Sequence, residues 1–237
     1  MTGGVIPWSS GVQEILQDGR LAVQQALAGS SGLVSILLEG APNSGKTALA
    51  AQIAKDSGFP FIKICSPENM IGFTESAKCA TIRKIFDDAY RSHQSCVIVD
   101  NIERLIDYGP IGPRYSNLTL QALLVLLKKV PPKGRKLLIV ATSSRKQVLD
   151  QLEMLSAFTD VLHVASLNRA EHITAVAKLS EAFSPADLAS LESQLSGRNT
   201  NIGIKKLLGL LDMVKQTDQG ERVAKLVGKL EDDMITY

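Results

Sequence analysis

The sequence predicts an α/β fold, in which a parallel sheet is flanked by helices, followed by a small all-helical domain. Two observations support this prediction. Short runs of apolar residues, typical of buried strands, alternate with longer segments of helical periodicity up to about residue 166. After residue 167 the strand-like runs stop, and four helical segments follow one another. We therefore predict an α/β domain over residues 1–166 and a helical domain over residues 167–237.

The predicted elements of the α/β domain alternate along the chain. Helical periodicity covers residues 12–27, 47–55, 75–93 and 116–129. Strand-like apolar runs cover residues 33–39, 59–64, 96–100, 137–142 and 161–164. Because parallel strands need a crossover connection, usually a helix, this alternation favours four or five parallel strands. The predicted helices of the second domain cover residues 169–183, 185–195, 201–214 and 221–230.

A glycine-rich segment lies between the first strand-like run and the following helix. Residues 40–47, GAPNSGKT, match the phosphate-binding pattern G-x-x-x-x-G-K-[ST] at every fixed position. Gly40 and Gly45 allow the backbone N–H groups to point inward, and the N-terminus of a helix favours bound anions. We expect Lys46 to contact phosphate oxygens and the Thr47 hydroxyl to coordinate Mg²⁺. The predicted nucleotide-binding residues of this segment are Gly40, Ala41, Pro42, Asn43, Ser44, Gly45, Lys46, Thr47 and Ala48.

An acidic residue ends the third strand-like run. Asp100 follows four apolar residues and lies 54 positions after Lys46. A carboxylate at this position would hold Mg²⁺ opposite Thr47. The next residue is Asn101, where many such sites use a carboxylate to polarise the attacking water. Because an amide can orient water but cannot accept its proton, the sequence supports nucleotide binding better than hydrolysis.

Composition and charge argue against several classes of protein. The 237 residues are 45% hydrophobic and carry a formal net charge of +2. A chain of this size can bury a large core, and it lacks the basic stripe and the aromatic content expected of a nucleic-acid-binding surface. The cysteines Cys65, Cys79 and Cys96 fit reduced thiols better than disulfides or metal ligands. With no apolar run of about 18 residues and no signal peptide, we expect a soluble intracellular chain.

The N-terminal segment and one histidine each have two interpretations. An apolar segment just before a phosphate-binding loop can cover the base of a nucleotide, so Val5, Ile6 and Gly11 are candidate adenine contacts. Ordinary packing of an N-terminal arm explains the same residues equally well. His163 lies in the last predicted strand, where a place in the sheet is favoured over a catalytic role.

Polar residues at the ends of other elements are further candidates. Ser144 follows the fourth strand, at the edge where ligands of open α/β sheets bind. Gly203 and Lys205 begin a helix that could close over a nucleotide, although spacing alone favours a solvated cationic face. Lys128 and Lys129 end a largely apolar helix, predicted to be buried on most sides, and they complement its dipole.

Together these motifs resemble the AAA family of ATPases, in which a P-loop NTPase domain is followed by a helical lid. Four segments make the resemblance more specific: FPFIKICSP at residues 59–67, DNIERLIDY at 100–108, PIGPRYSNL at 110–118, and LLVLLKK at 123–129 with its following Pro-Pro. They are similar to the second ATPase module of the N-ethylmaleimide-sensitive fusion factors. The similarity runs from about residue 6 to residue 222, without the adaptor domain and first ATPase module of those proteins.

The resemblance implies a module that binds ATP and Mg²⁺ tightly, hydrolyses ATP slowly and joins protomers into a homohexamer. In the full-length protein it implies a cytoplasmic ATPase, recruited peripherally to membranes without inserting, that acts with SNAP adaptors to disassemble SNARE complexes. By position, Asp100 is the acid on the metal side and Ser144 is the sensor residue, which is Asn in most relatives. Lys205 corresponds to a second sensor in the lid, and Lys128 to a lysine that reaches the ATP of a neighbouring subunit.

Three departures from the family pattern, two that weaken hydrolysis and one that weakens the gripping of a peptide, predict a module that holds a ring together more than it acts as a motor. The chain has Asn101 in place of an acid, and the segment after Arg145 lacks arginine fingers. Met70 stands where substrate-threading relatives have an aromatic residue. An active ATPase motor that remodels protein complexes is the alternative. A small-molecule kinase or a nucleic-acid-processing ATPase is disfavoured by the helical lid and by the absence of a basic stripe.

Overall fold

The computed structural model describes residues 4–112, 114–198 and 200–235, and it confirms the predicted α/β class followed by helices. The described strands are β1 (Leu33–Glu39), β2 (Phe61–Cys65), β3 (Gln94–Val99), β4 (Lys136–Ser143) and β5 (Asp160–His163). The described α-helices are α1 (Ser10–Ala28), α2 (Lys46–Asp56), α3 (Glu75–Ala89), α4 (Ile102–Leu105), α5 (Asn117–Lys128), α6 (Lys146–Gln151), α7 (Ala170–Leu179), α8 (Pro185–Leu195), α9 (Ile204–Val214) and α10 (Arg222–Ile235). No helix in these ranges is both long and apolar enough to cross a membrane.

The five strands form one parallel sheet in the order β2-β3-β4-β1-β5. Strand β4 therefore lies between β1 and β3, although it follows both in the sequence. Glu39 at the end of β1 is opposite Ser143 at the end of β4, and Val99 at the end of β3 is opposite Ala141. The carboxyl ends of these three strands thus meet at one edge of the sheet, where open α/β folds bind ligands.

The three central strands, β3, β4 and β1, are buried on both faces, which explains their continuous apolar runs in the sequence, whereas the edge strands β2 and β5 are partly exposed. Leu37 and Val97 pack in a core cluster with residues of α3 and α5. Their neighbours Ile36 and Ile98, which point to the opposite face, are also at most 2% exposed. Strands covered on both sides lose the polar alternation of half-exposed strands, so they read as apolar runs. Burial of each such side chain stabilises the fold by about 1.5–3 kcal/mol.

The structure moves several predicted boundaries. Strand β2 begins after Pro60, which has no backbone N–H to donate to a neighbouring strand. Helix α3 ends at Ala89 and not at residue 93, because the carbonyl of His93 accepts the N–H of Lys136 beside the sheet. Helices α4 and α6, which span four and six residues, were not predicted. Segments of this length are too short to display helical periodicity.

Helix α5 is less enclosed than its apolar sequence indicates. Leu123 and Leu127 are fully buried in the core cluster, as predicted. Leu118 is 48% exposed and Val125 is 64% exposed, so the prediction of a helix buried on most sides is wrong along this stripe. Residues 122–127 are all apolar, so this stretch gives no period from which the exposed side could be recognised.

By contacts within the chain, the residues divide into two compact units. The first contains the sheet and consists mainly of Glu14–Gly40 and Lys46–His163. The second contains Ile6–Gln13, Ala41–Gly45 and the described part of Val164–Tyr237. The predicted boundary between residues 166 and 167 stays a prediction.

The second unit has its own apolar core, formed by α7 to α10. Helix α8 begins where the sequence predicts, because Ser184 and Asp187 form a reciprocal capping box. Helix α9 begins three residues later than predicted. Leu167 and Ile202 exchange backbone hydrogen bonds of 2.8 and 3.0 Å, and this antiparallel bridge holds the chain extended before the helix. The bridge also corrects the expectation that this region contains helices alone.

Burial also determines the chemistry of two cysteines. Cys65 and Cys96 are fully buried, and burial raises the pKa of each thiol to about 12. A thiol with this pKa stays protonated and is a poor nucleophile near neutral pH. Cys79 is partly exposed, and its sulfur lies 3.7 Å from the Thr119 hydroxyl.

Candidate functional site

The glycine-rich segment forms a tight loop between β1 and α2. Asn43 and Gly45 both have left-handed backbone conformations, with φ of 65° and 95°. Gly45 takes this conformation without the strain that a side chain would bring. Helix α2 begins at Lys46, so the loop leads directly into a helix N-terminus, the arrangement that the phosphate-binding motif predicts.

Lys46 is a buried cation at the start of α2. It is 6% exposed, and its Nζ atom donates a hydrogen bond to the Gly40 carbonyl at 2.9 Å. Burial lowers the pKa of Lys46, whereas the carboxylates of Glu103, Asp100 and Glu39 act in the opposite direction and favour the charged amine. The net shift of the Lys46 pKa is downward, and a phosphate that contacts the buried amine would favour its charged form, because opposite charges attract more strongly there than at the surface.

Asp100 lies at the centre of a hydrogen-bond cluster at the carboxyl edge of the sheet. Its Oδ1 atom accepts the hydroxyls of Thr47 and Thr142, each at 2.7 Å. Its Oδ2 atom accepts the Asn101 side-chain amide at 2.9 Å. Asp100 is 6% exposed, and Thr142 is fully buried. The structure therefore brings together Thr47 and Asp100, the two residues predicted to face Mg²⁺.

The donor set of this cluster suits Mg²⁺. The ion prefers oxygen ligands and is usually held by one or two protein oxygens together with waters and phosphates. The Thr47 hydroxyl donates a hydrogen bond to Asp100, so its lone pairs remain for a cation. Thr47 and Asp100 would hold the ion, and bound Mg²⁺ would neutralise charge on the phosphate oxygens.

Asn101 is held by both its backbone and its side chain. It has a left-handed conformation with φ of 51° and precedes α4. Its backbone N–H donates to the Thr142 hydroxyl at 2.9 Å, while its side-chain amide donates to Asp100. One N–H of the side-chain amide is thus used on the metal-side acid, and the second N–H and the amide oxygen can orient a water molecule but cannot accept its proton.

Glu103 belongs to the same region but was not among the predicted site residues. It lies in the first turn of α4 and is 7% exposed. Its Oε1 atom accepts the backbone N–H of Ser144 at 2.9 Å. This contact ties α4 to the predicted sensor residue, which follows β4. An acidic residue three positions after Asp100 was the only sequence signal, and it resembles an ordinary exposed acid at the start of a helix.

A second acid stands just before the phosphate-binding loop. Glu39 ends β1 and is 9% exposed. Its Oε1 atom lies 2.8 Å from Nδ1 of His163 and 3.5 Å from Nζ of Lys146. His163 thus lies in strand β5 and contacts a buried acid from that position.

Within the second unit, the loop segment Ala41–Gly45 contacts the start of α9. The backbone N–H of Lys205 donates to the Asn43 carbonyl at 3.0 Å. A Cβ atom added to Gly203 would lie 2.6 Å from the same carbonyl oxygen. Glycine at this position therefore permits a close approach of two backbone segments. The predicted second-sensor residue Lys205 is adjacent to the loop, and its side chain is exposed.

This close approach gives a prediction with a matched control on the same helix. We expect Gly203→Ala to destabilise the protein by about 1–3 kcal/mol, because the added methyl group would overlap the backbone of Asn43. Gly209→Ala, within α9, meets no atom within 4 Å and should stabilise the helix by about 0.5–1 kcal/mol. Urea denaturation of both variants measures the difference. Equal stability of the two variants would contradict the close approach.

Two other groups of predicted residues make contacts of their own. Lys128, at the end of α5, is exposed and donates to the Ser156 hydroxyl at 3.3 Å. The Lys129 amine lies 4.8 Å from the centre of the Tyr90 ring. Ile6 packs against the core of the second unit. Packing of the N-terminal arm therefore accounts for Ile6, and an adenine contact at this residue stays a prediction.

Comparison with known protein families gives two matches that together cover most of the chain. Residues 36–166 match the model of the family described as "ATPase family associated with various cellular activities (AAA)". Residues 166–233 match the model described as "NSF, AAA+ ATPase lid domain". The first match contains the phosphate-binding loop, Asp100 and Ser144, and the second contains Gly203 and Lys205.

Curated relatives extend over nearly the whole chain. A vesicle-fusing ATPase of Caenorhabditis elegans is 42% identical over 98% of this chain and 29% of its own length. A vesicle-fusing ATPase of Dictyostelium discoideum is 40% identical over 97% of this chain and 30% of its own length. The vesicular-fusion protein SEC18 of Saccharomyces cerevisiae is 41% identical over 91% of this chain and 29% of its own length. The chain thus spans less than a third of the length of these relatives.

Proposed function

Since the chain belongs to the AAA family of ATPases, we propose that it binds ATP·Mg²⁺ and uses the nucleotide chiefly to hold copies of itself together in a homohexamer. Its own hydrolysis of ATP is slow. One observation carries the proposal: Asp100 accepts the hydroxyls of both Thr47 and Thr142, while the buried amine of Lys46 lies at the start of the adjoining helix. This arrangement supplies a cation for phosphate oxygens and hard oxygen ligands for Mg²⁺.

Each predicted site residue has a role in this proposal. The loop backbone from Gly40 to Ala48 binds the phosphates, and Lys46 neutralises their charge. Thr47 and Asp100 hold Mg²⁺, and Ser144 contacts the terminal phosphate. Gly203 and Lys205 contribute from the helix that lies against Asn43. Ile6 contacts the adenine.

Assembly driven by a bound nucleotide has a simple thermodynamic basis. A ligand that binds the assembled form and contacts two copies of the chain stabilises that form by RT ln(1 + [ATP]/Kd). At a thousandfold excess over Kd this term is about 4 kcal/mol. The same energy is available without hydrolysis, so slow turnover is compatible with this function. Slow turnover is expected because Asn101 occupies the position of a proton-accepting acid and its amide is bonded to Asp100.

The full-length protein, as we propose it, disassembles SNARE complexes with SNAP adaptors during vesicle fusion. The names of the relatives, vesicle-fusing ATPase and vesicular-fusion protein, support a role in vesicle fusion, and the SNARE complexes and SNAP adaptors come from the family resemblance of the sequence. It places the protein in the cytoplasm, with peripheral recruitment to membranes. In this scheme the present chain maintains the ring, and other parts of the protein contact the substrate.

An active motor is the second candidate, favoured by the buried acid Glu103 beside the predicted sensor residue. Steady-state release of phosphate by the isolated chain distinguishes the two functions. A motor should approach the turnover of ordinary enzymes, about 1–10³ s⁻¹. The assembly function predicts turnover well below this range at ATP concentrations that saturate binding.

Lys128 gives a prediction that is specific to assembly. Lys128 is exposed, whereas the Lys129 amine already lies over the Tyr90 ring. We therefore expect Lys128→Ala to weaken ATP-dependent assembly by about tenfold, the equivalent of one charge-assisted contact. ATP binding to the monomer should remain unchanged. Light scattering over a range of protein concentrations measures assembly, and Lys133→Ala provides an exposed control in the following loop. Equal assembly of the two variants would exclude Lys128 from the interface.

A further inference from the structure

One buried carboxylate oxygen in the site region has no donor. Glu103 uses its Oε1 atom to accept the Ser144 N–H, but its Oε2 atom is buried and has no hydrogen-bond partner among the described residues. Only two other buried side-chain atoms there share this condition, and both belong to residues of the second unit, His172 and Thr200. Glu103 alone combines an unpartnered oxygen with a position next to the Asp100 cluster.

An unpartnered buried carboxylate oxygen is costly, since it has lost its water without gaining a donor. No side chain of the neighbouring cluster donates to this oxygen. Thr47, Thr142 and Asn101 all donate to Asp100. A small molecule is a donor that fits a site of this kind, and water is the one that every nucleotide-hydrolysing site must contain.

The charge of Glu103 also acts on the phosphate-binding lysine. Among the acids that oppose the effect of burial on the pKa of Lys46, Glu103 has the largest influence, ahead of Asp100 and Glu39. The Glu103 carboxylate therefore lies in the same electrostatic environment as the amine that is expected to contact the phosphates.

We propose that Glu103, and not Asn101, positions the attacking water. In this proposal, which rests on the ATP site proposed above, Oε2 accepts a hydrogen bond from the water and Oε1 fixes the backbone of Ser144. Glu103 is thus a positioning residue for the residual hydrolysis. The carboxylate is displaced by three residues from its usual place, onto the first turn of α4.

The isosteric variant Glu103→Gln separates this role from a structural one. A glutamine can still accept the Ser144 N–H through its amide oxygen, but it presents an N–H₂ group in place of Oε2. We expect kcat for ATP to fall about tenfold, the effect of one lost hydrogen bond. The Kd for ATP, measured by calorimetry, should change by less than about twofold. Hydrogen exchange at the Ser144 amide should be unchanged.

Two comparison variants complete the experiment. Glu103→Asp keeps a carboxylate on a shorter side chain and should show a kcat between those of the wild type and Glu103→Gln. Glu14→Gln, at an exposed position of α1, should behave as the wild type.

Three results would overturn the proposal: wild-type kcat in Glu103→Gln, equal losses of kcat and ATP affinity, or faster exchange at Ser144. Failure of the proposed function would differ from all three, because the wild-type protein itself would then not bind ATP.

Discussion

Replacement of Lys46 with alanine is expected to weaken ATP binding by about 10²-fold or more. The Lys46 amine is buried at the start of α2, where burial lowers its pKa and three carboxylates oppose that shift, and a bound phosphate would favour the charged amine as well. A hydrogen bond to a charged group contributes about 1.5–3 kcal/mol. Removal of a lysine that contacts two phosphates should therefore weaken ATP binding by roughly 3 kcal/mol. Each 1.4 kcal/mol is a tenfold change in affinity. Isothermal titration with ATP in the presence of Mg²⁺ measures the loss.

Lys55→Ala is the matched control for this experiment. Lys55 lies near the other end of α2 and is exposed, so its removal changes the net charge equally without touching the loop. We expect it to bind ATP as the wild type does. Equal affinities of the Lys46 and Lys55 variants would contradict the assignment of the phosphate-binding loop.

Asp100→Asn is expected to abolish the contribution of Mg²⁺ to ATP binding. The asparagine can retain the hydrogen bonds from Thr47 and Thr142 through its oxygen, but its amide would face the amide of Asn101 as donor against donor. It also removes the negative charge that faces the cation. In the wild type, chelation of Mg²⁺ should weaken ATP binding by about tenfold or more, the equivalent of at least one charge-assisted contact. In Asp100→Asn the affinities with and without Mg²⁺ should be nearly equal.

The control for this variant is Asp150→Asn, an exposed carboxylate of α6. It should keep the full response to Mg²⁺. A normal Mg²⁺ response in Asp100→Asn would show that the cation is held by other residues, and the proposed role of the cluster would then be wrong.

The parts of the fold that could be predicted from the sequence are those with strong local signals. Strands buried on both faces read as apolar runs, and the phosphate-binding pattern places β1, the loop and α2 in order. The predicted start of α8 is confirmed, because Ser184 and Asp187, the two residues of its capping box, lie three positions apart and can be recognised in the sequence. The family match over residues 36–166 confirms the AAA fold class.

The features that escaped prediction depend on contacts between distant segments. The start of α9 depends on the backbone bridge between Ile202 and Leu167. The end of α3 depends on the backbone hydrogen bond that Lys136 donates to His93. The place of Glu103 depends on Ser144, 41 positions away. Periodicity and motif spacing contain no information on such pairs.

The central claim is that bound ATP joins copies of this chain and that this assembly does not require hydrolysis of the ATP. Multi-angle light scattering of the wild-type protein with ATP, with ADP and with no nucleotide tests it most directly, with Lys46→Ala in ATP as a fourth sample. The account predicts a species of about six times the monomer mass of 25.5 kDa with ATP, and a smaller mass in the other three samples. A mass that is the same in all four samples would contradict the claim.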